Sequence, residues 1–219
     1  MAYFFREPVA SWRWYLERFS VVEGKRPNPA HLALAALERW QLVRGGEFLL
    51  VTQNVDCLHE AAGSRALVKV HGSADRVRCS AVGCENGAPW GSLPRADIDQ
   101  AAFLADPSEA TLPRCPACGE ILRQHLLWFD EYYDGHRDYQ FARVKRAAES
   151  AGVVLFAGTS FAVGVTEAIV DIARSRGAAI FSIDPANRSP HPRVTGVAQP
   201  AEEVLPRLCA ALGAPLADG

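Results

Sequence analysis

Residues 153–183 read VVLFAGTSFAVGVTEAIVDIARSRGAAIFSI, and the succession of textures in this stretch decides the fold. Val153–Ala157 and Ala178–Ile183 are short apolar runs next to glycine, as expected of strands buried on both faces. Between them, Val165–Arg176 has helical spacing and stops at Gly177. Strand, helix and strand in that order make a βαβ unit, and its two strands lie parallel. The expected fold class is therefore α/β, with a Rossmann-like parallel sheet.

Outward from this unit the same alternation continues. EFLLVT (47–52) is an apolar run that leads into polar residues, a further buried strand. A short helix over Cys57–Ala62 stops at Gly63, and LVKVHGS (67–73) follows as a strand. Residues 8–20 read as a helix with Trp12, Trp14, Tyr15 and Phe19. PNPAHLALAALERW (27–40) reads as a second helix, and Glu202–Leu212 as the last. Residues 76–124 differ in texture, with four paired cysteines, prolines and glycines around the pairs, and few long apolar runs. The expected organisation is a sheet domain over 1–75 and 125–219, interrupted by a small metal-stapled insert over 76–124.

The 219 residues are enough for a full core, and 49% hydrophobic with 22% charged residues is an ordinary globular balance. Net charge is −2 and the Lys and Arg residues are scattered. No basic stripe exists for a phosphate backbone, so nucleic acid is not an expected direct ligand. Apolar runs are too short for a membrane span, and MAYFFREPVASWRWY lacks a signal peptide's apolar core. The expected location is cytoplasmic, away from membranes. Oligomeric state leaves no trace in the sequence.

Cys79 and Cys84 form a C-x4-C pair, and Cys115 and Cys118 a C-x2-C pair. Short loops keep two sulfurs within reach of one ion. Four thiolates satisfy tetrahedral Zn2+ and leave no open position, so the expected zinc is structural. The insert is expected to rely on the ion in place of a core.

Gln53, Asn54, Val55 and Asp56 follow a buried strand, where an open α/β sheet places ligand contacts. His71 ends the next strand, and an imidazole there can act as a base near neutral pH. Taken alone, each of these is as readily a structural residue.

Together they say more. TQNVDCLHEAAGS, LVKVHGS, the two cysteine pairs, LRQHLLWFDE and GTSFAV, in that order, resemble the core of the sirtuin family, from about Trp12 to Leu208. The resemblance implies an NAD-dependent protein-lysine deacylase. NAD is then a consumed co-substrate, nicotinamide leaves, and the acyl group of a modified lysine moves to the ribose. An acylated-lysine protein or peptide is the implied partner. His71 matches the general base, and Gln53, Asn54, Val55 and Asp56 match the nicotinamide and ribose pocket. Gly158, Thr159 and Ser160 match the loop that contacts the dinucleotide. Asp184 stands where the family usually has Asn, and Ala198 matches a position near the adenine.

Trp128 and Phe129 match the segment that pairs with substrate peptide, although Asp130 replaces a Gly and Gln124 a Pro. Tyr15 and Arg18 have the Tyr-x-x-Arg spacing of sirtuins that remove succinyl and malonyl groups. A carboxylate-ended acyl group suits a guanidinium fork and a phenol donor, and positions i and i+3 of a helix share a face. The bare pair reads as a packed Tyr and a solvated Arg; its place in the family's helix gives it meaning.

The family also carries a strand and a Gly-Ala-Gly-x-Ser loop before this helix, and residues 1–14 hold no such pattern. The expected sheet therefore lacks the first βα unit. These residues by themselves are expected to bind NAD weakly. The alternatives are a catalytically silent zinc-stabilised scaffold and a protein ADP-ribosyltransferase.

Overall fold

The computed structural model describes residues 1–187 and 191–216. Along the chain the elements are α1 (Ala2–Arg6), α2 (Pro8–Val22), α3 (Pro29–Val43), β1 (Leu50–Thr52), α4 (Leu58–Ala61), β2 (Leu67–Lys69) and β3 (Gly72–Cys79). Then come β4 (Leu93–Pro94), α5 (Ala101–Ala105), β5 (Leu122–Leu126), α6 (Phe141–Ser150) and β6 (Val153–Ala157). The chain closes with α7 (Gly164–Ser175), β7 (Ala179–Ile183), β8 (Val194–Val197) and α8 (Ala201–Leu212). Two compact units emerge. The first takes Met1–Lys25, Val51–Cys57 and Val68–Gln140; the second takes Arg26–Leu50, Leu58–Leu67 and Phe141–Gly219.

The first unit is built on the antiparallel sheet β4–β3–β5, with Val77 opposite Gln124 and Cys79 opposite Leu122. Helix α2 starts with Pro8, whose fixed φ and missing N–H suit a first helical position. It buries Trp12 and Phe19. Trp12 is fully buried, and its indole N–H donates to the Leu122 carbonyl at 2.8 Å. Phe4, Phe103, Leu112 and Leu122 pack into the same cluster. Trp12→Ala would remove the indole from this core at a cost of about 3–5 kcal/mol.

The 76–124 stretch therefore shares a core with the N-terminal helices. That revises the expectation that an ion alone would hold it. Its buried apolar residues Val77, Phe103, Leu112 and Leu122 stand far apart in the sequence, and so no run announces them.

The second unit contains the parallel sheet β6–β7–β8, with Val153 opposite Ala179 and Ile180 opposite Val194. This is the expected βαβ arrangement, with α7 packing Val170 and Ala173 against Phe156 and Ile180. Within this sheet β6 is an edge strand and Val153 is 64% exposed, so the expectation of burial on both faces fails at that end. Helix α3 opens with a capping box, in which Asn28 Oδ1 accepts the His31 N–H and His31 Nδ1 accepts the Asn28 N–H. Ala33, Ala36 and Leu37 face Leu205 and Cys209 of α8, and the small alanines let these helices approach closely.

Two strand boundaries differ from expectation. Of the residues 47–52, only Leu50–Thr52 are strand, and LVKVHGS breaks into β2 and β3 around His71. The break has a cause in Gly72. Its φ is +83°, and a Cβ there would collide with the His125 carbonyl oxygen. Among the described residues, no helix is long and apolar enough to cross a membrane.

Candidate functional site

The four cysteines come together in the first unit. Cys79 Sγ lies 3.4 Å from Cys118 Sγ, Cys84 Sγ lies 3.8 Å from Cys115 Sγ, and all four sulfurs are within 4.8 Å of one another. Tetrahedral Zn–S bonds of about 2.3 Å require sulfur separations of roughly 3.8 Å. The donor set fits a structural zinc ion.

Each pair sits on a tight backbone turn, closed by Cys79 N–H to Asn86 O and Cys115 N–H to Glu120 O, both at 2.7 Å. Burial opposes ionisation at Cys115, but the Ala117 backbone N–H and the Asn86 amide bring its pKa to about 7. Burial pushes the Cys79 thiol up, so this thiolate needs the ion's charge.

His71 occupies the bend between β2 and β3. Its Nδ1 lies 3.1 Å from the Gln53 carbonyl oxygen and its Nε2 lies 3.1 Å from the Tyr133 hydroxyl. A carbonyl can only accept, so Nδ1 carries the proton and Nε2 presents its lone pair to Tyr133 O–H. Burial lowers the His71 pKa, which keeps the ring neutral at pH 7. The result is an oriented base. Its backbone carbonyl accepts the Leu127 N–H at 3.0 Å, and the preceding Val70 N–H donates to Thr52 O at 3.1 Å.

The NVD residues are divided. Asn54 is exposed, and its backbone N–H donates to Thr52 Oγ1 at 3.1 Å. Val55 and Asp56 line a cavity of about 250 Å3 with Trp14, Tyr15, Arg18, Phe19, Val22 and Leu126. Tyr15 and Arg18 thus share a cavity, as the helical spacing requires. Neither His71 nor Asn54 lines it. The walls are mostly apolar, with one guanidinium, one phenol and one carboxylate. The Arg18 guanidinium stacks 3.7 Å above the Trp14 ring, a cation–π contact. Burial raises the Tyr15 pKa, keeping the phenol a donor.

Trp128 and Phe129 part company. The strand β5 ends at Leu126, Trp128 is half-buried, and Phe129 is fully exposed. The strand thus stops short of both residues. Trp128 lies on the Arg123 guanidinium at 3.3 Å and stacks with Tyr15 at 6.3 Å between centroids. Glu131 binds Arg78 at 2.6 Å and Arg123 at 2.8 Å, and it accepts the Trp128 N–H at 3.0 Å. Sequence reasoning missed Tyr133, Arg123 and Arg78. Glu131 and Arg123 both stand in LRQHLLWFDE, but nothing in the motif showed their pairing, and Arg78 lies 53 residues from Glu131.

In the second unit, Gly158, Asp184 and Ala198 each follow the C-terminal end of one parallel strand, β6, β7 and β8. Gly158 N–H donates to Ile183 O and Asp184 N–H to Val197 O, which holds these ends in register. Such strand ends are where an open parallel sheet offers ligand contacts. Gly158 has φ +61°, the left-handed region. Thr159 Oγ1 accepts the Phe161 N–H at 3.3 Å and Ser160 Oγ the Ala162 N–H at 3.4 Å. Asp184 is 2% exposed, with Oδ1 accepting the Ala186 N–H at 3.1 Å, whereas Gly158, Ser160 and Ala198 are exposed.

The profile of the Sir2 family matches residues 1–165. An NAD-dependent protein deacylase of Thermus thermophilus is 41% identical over 180 residues, which is 82% of this chain and 63% of that protein. NAD-dependent protein deacylase 1 of Archaeoglobus fulgidus is 36% identical over 83% of this chain and 65% of its own length. The chain thus spans somewhat under two thirds of these relatives. A solved Sir2 homolog–NAD complex superposes with TM-score 0.77 at 35% identity, covering 96% of this chain and 74% of the other. The chain belongs to the Sir2 family.

Proposed function

We propose that this chain removes acyl groups from protein lysines at the expense of NAD and one water, releasing nicotinamide, the free lysine and an O-acyl-ADP-ribose. The observation that carries the reading is His71, a neutral imidazole with Nδ1–H on the Gln53 carbonyl and an unprotonated Nε2 that faces the Tyr133 hydroxyl at 3.1 Å. In the proposed reaction, NAD supplies the activated nicotinamide–ribose bond. A ribose hydroxyl takes the place of Tyr133 O–H at His71 Nε2 and gives up its proton there. Asn54 and Asp56 bind the nicotinamide riboside end. Thr159, Ser160 and Asp184 donate to or accept from the dinucleotide, and the Gly158 turn allows close backbone approach.

The pairing of Tyr15 with Arg18 on one cavity supports an acyl group that ends in carboxylate, succinyl or malonyl. Asp56 in the same cavity opposes a second negative charge, so the preference over acetyl is a matter of degree. Trp128, held on Arg123, offers a rigid wall to the substrate lysine, and Phe129 an exposed contact for the peptide.

The reading is tested by incubating the chain with NAD and acetyl-, malonyl- and succinyl-lysine peptides, followed by mass spectrometry. Equimolar nicotinamide, free lysine peptide and O-acyl-ADP-ribose are expected. Nicotinamide release with ADP-ribose on protein and intact acyl-lysine would make the chain a transferase instead. No nicotinamide from any peptide, with NAD still bound, would leave a binding module.

A further inference from the structure

His125 and His136 are fully buried in the first unit, and neither has a part in the site described above. His125 lies on β5, and His136 directly precedes the turn Arg137–Tyr139, which carries Asp138 and leads into α6.

 His136 caps that turn, where its Nδ1 accepts the Asp138 N–H at 3.2 Å. The reactive atoms of His125, His136 and Asp138 all lie within 4.8 Å of one another.

We propose that these three residues form a second metal site, separate in its ligands from the four cysteines, that takes a zinc-class divalent ion. His125 Nε2 is 3.2 Å and His136 Nδ1 3.7 Å from Asp138 Oδ2. A tetrahedral ion with bonds of about 2.0–2.1 Å spaces its N and O ligands by roughly 3.3–3.4 Å, so the cluster is close to the required size. Two imidazoles and one carboxylate select zinc, cobalt or ferrous ions over calcium or magnesium.

Three further observations point to an ion. First, among the described residues His125 Nδ1 has no hydrogen-bond partner, and Nε2 meets only Asp138 Oδ2, at 3.2 Å and outside good hydrogen-bond geometry. A fully buried imidazole so poorly partnered is costly, and a metal bond would satisfy one of its nitrogens. Second, His136 Nε2 lies 3.0 Å from the Gly91 carbonyl, which can only accept. The proton is therefore on Nε2, and Nδ1 carries the lone pair. This outer hydrogen bond is the one that metal-bound histidines make. The Asp138 N–H now on Nδ1 would give way to the ion. Third, Asp138 Oδ2 accepts the Ser92 hydroxyl at 2.9 Å, and Ser92 is itself held by Arg76 at 2.8 Å, so the carboxylate is aimed from behind.

The Asp138 side chain is 35% exposed, which gives the ion an entry and a water the fourth position. Bound there, the ion would staple residues 136–138 to β5 and so restrain the segment that carries Tyr133.

Metal analysis of the full chain decides the matter. After equilibration with micromolar zinc and removal of excess, two zinc ions per chain are expected, with Asp138→Asn and His136→Gln each retaining one. Cobalt gives a second readout. The thiolate site should show intense charge-transfer absorption, and a second equivalent should add a weaker visible band without sulfur charge transfer. The variants should lose that second band alone. One zinc per chain in the wild type, or a cobalt titration with a single end-point, would overturn the proposal. So would two ions retained in both variants. Should the variants fail to fold, the wild-type cobalt titration decides by itself.

Discussion

At the centre of the antiparallel sheet in the first unit, Arg78, Arg123, Gln124 and His125 are each no more than 3% exposed, whereas the parallel sheet of the second unit buries mainly Phe156, Ile180, Ile183 and Val194. The second unit follows the usual rule, in which apolar area removed from water carries stability at roughly 25 cal/mol per Å2. The first unit takes charges out of water and answers them individually. Glu131 faces Arg78 and Arg123, and Tyr139 O–H accepts from Arg78 at 2.9 Å. Buried ion pairs add little net stability over apolar packing, yet removing one partner is strongly destabilising. The first unit is therefore the fragile one, and it also holds His71 and the Tyr15–Arg18 cavity.

The largest effect expected from this contrast is at the cysteines. Cys115→Ser should abolish zinc at the four-sulfur site and unfold the first unit, since structural zinc can contribute on the order of 10 kcal/mol to folding. Four of the five tryptophans lie in that unit, at positions 12, 14, 90 and 128, so near-ultraviolet circular dichroism should collapse. Retention of that signal without zinc would show that the shared apolar core suffices.

Next in size is the pair Glu131→Gln and Leu205→Ala. Glu131→Gln should destabilise by about 3–5 kcal/mol, because two buried guanidinium groups lose their counter-charge. Leu205→Ala should cost a similar 2–5 kcal/mol through a cavity. Only the first should also raise KM for peptide, since Glu131 and Arg123 hold Trp128. Urea melts and steady-state kinetics on both variants make the comparison, and equal effects on KM would break it.

Smaller is the effect of Arg18→Ala. Loss of one charge-assisted hydrogen bond, about 1.5–3 kcal/mol, should lower kcat/KM for succinyl-lysine peptide about 10- to 100-fold while sparing acetyl-lysine peptide. An equal drop for both would make Arg18 a packing residue. The smallest effect is that of Tyr133→Phe. It removes a neutral hydrogen bond of about 0.5–1.5 kcal/mol that competes for His71 Nε2, so KM for NAD should fall a few-fold with kcat unchanged.

What the sequence made legible follows physical lines. The βαβ stretch 153–183 announces itself because its apolar periodicity switches twice between glycines. The cysteine pairs do so because thiolate spacing has few other uses. The strand β8 did not, since Val194–Val197 is four residues long with a glycine inside. Helix α6 is amphipathic but strongly charged, and only Val144 and Ala148 are buried from it.

The site is readable in its individual residues and not in its pairings. His71 at a strand end was visible, whereas its contact with Tyr133 spans 62 positions of sequence. Gln53, Asn54, Val55 and Asp56 were taken as one group, but the turn after β1 sends Asn54 to solvent and Asp56 to the cavity of Tyr15 and Arg18. In a regular strand positions 54 and 56 would share a face, so the bend at 56–57 beyond the end of β1 is what separates them, and only the tertiary position of α2 fixes which side is the cavity.

The most direct measurement follows deacylation by the wild type and by His71→Ala between pH 5 and pH 8. Burial lowers the His71 pKa, so the neutral base is present at pH 7 and is lost as pH falls through a value below the ordinary 6.5. The wild-type rate should therefore hold through neutrality and fall only in the acid range. His71→Ala should be slower by about 10²–10⁴-fold with an unchanged thermal midpoint. A variant that deacylates at the wild-type rate, with the wild-type acid limb, would contradict the assignment of His71 as the base.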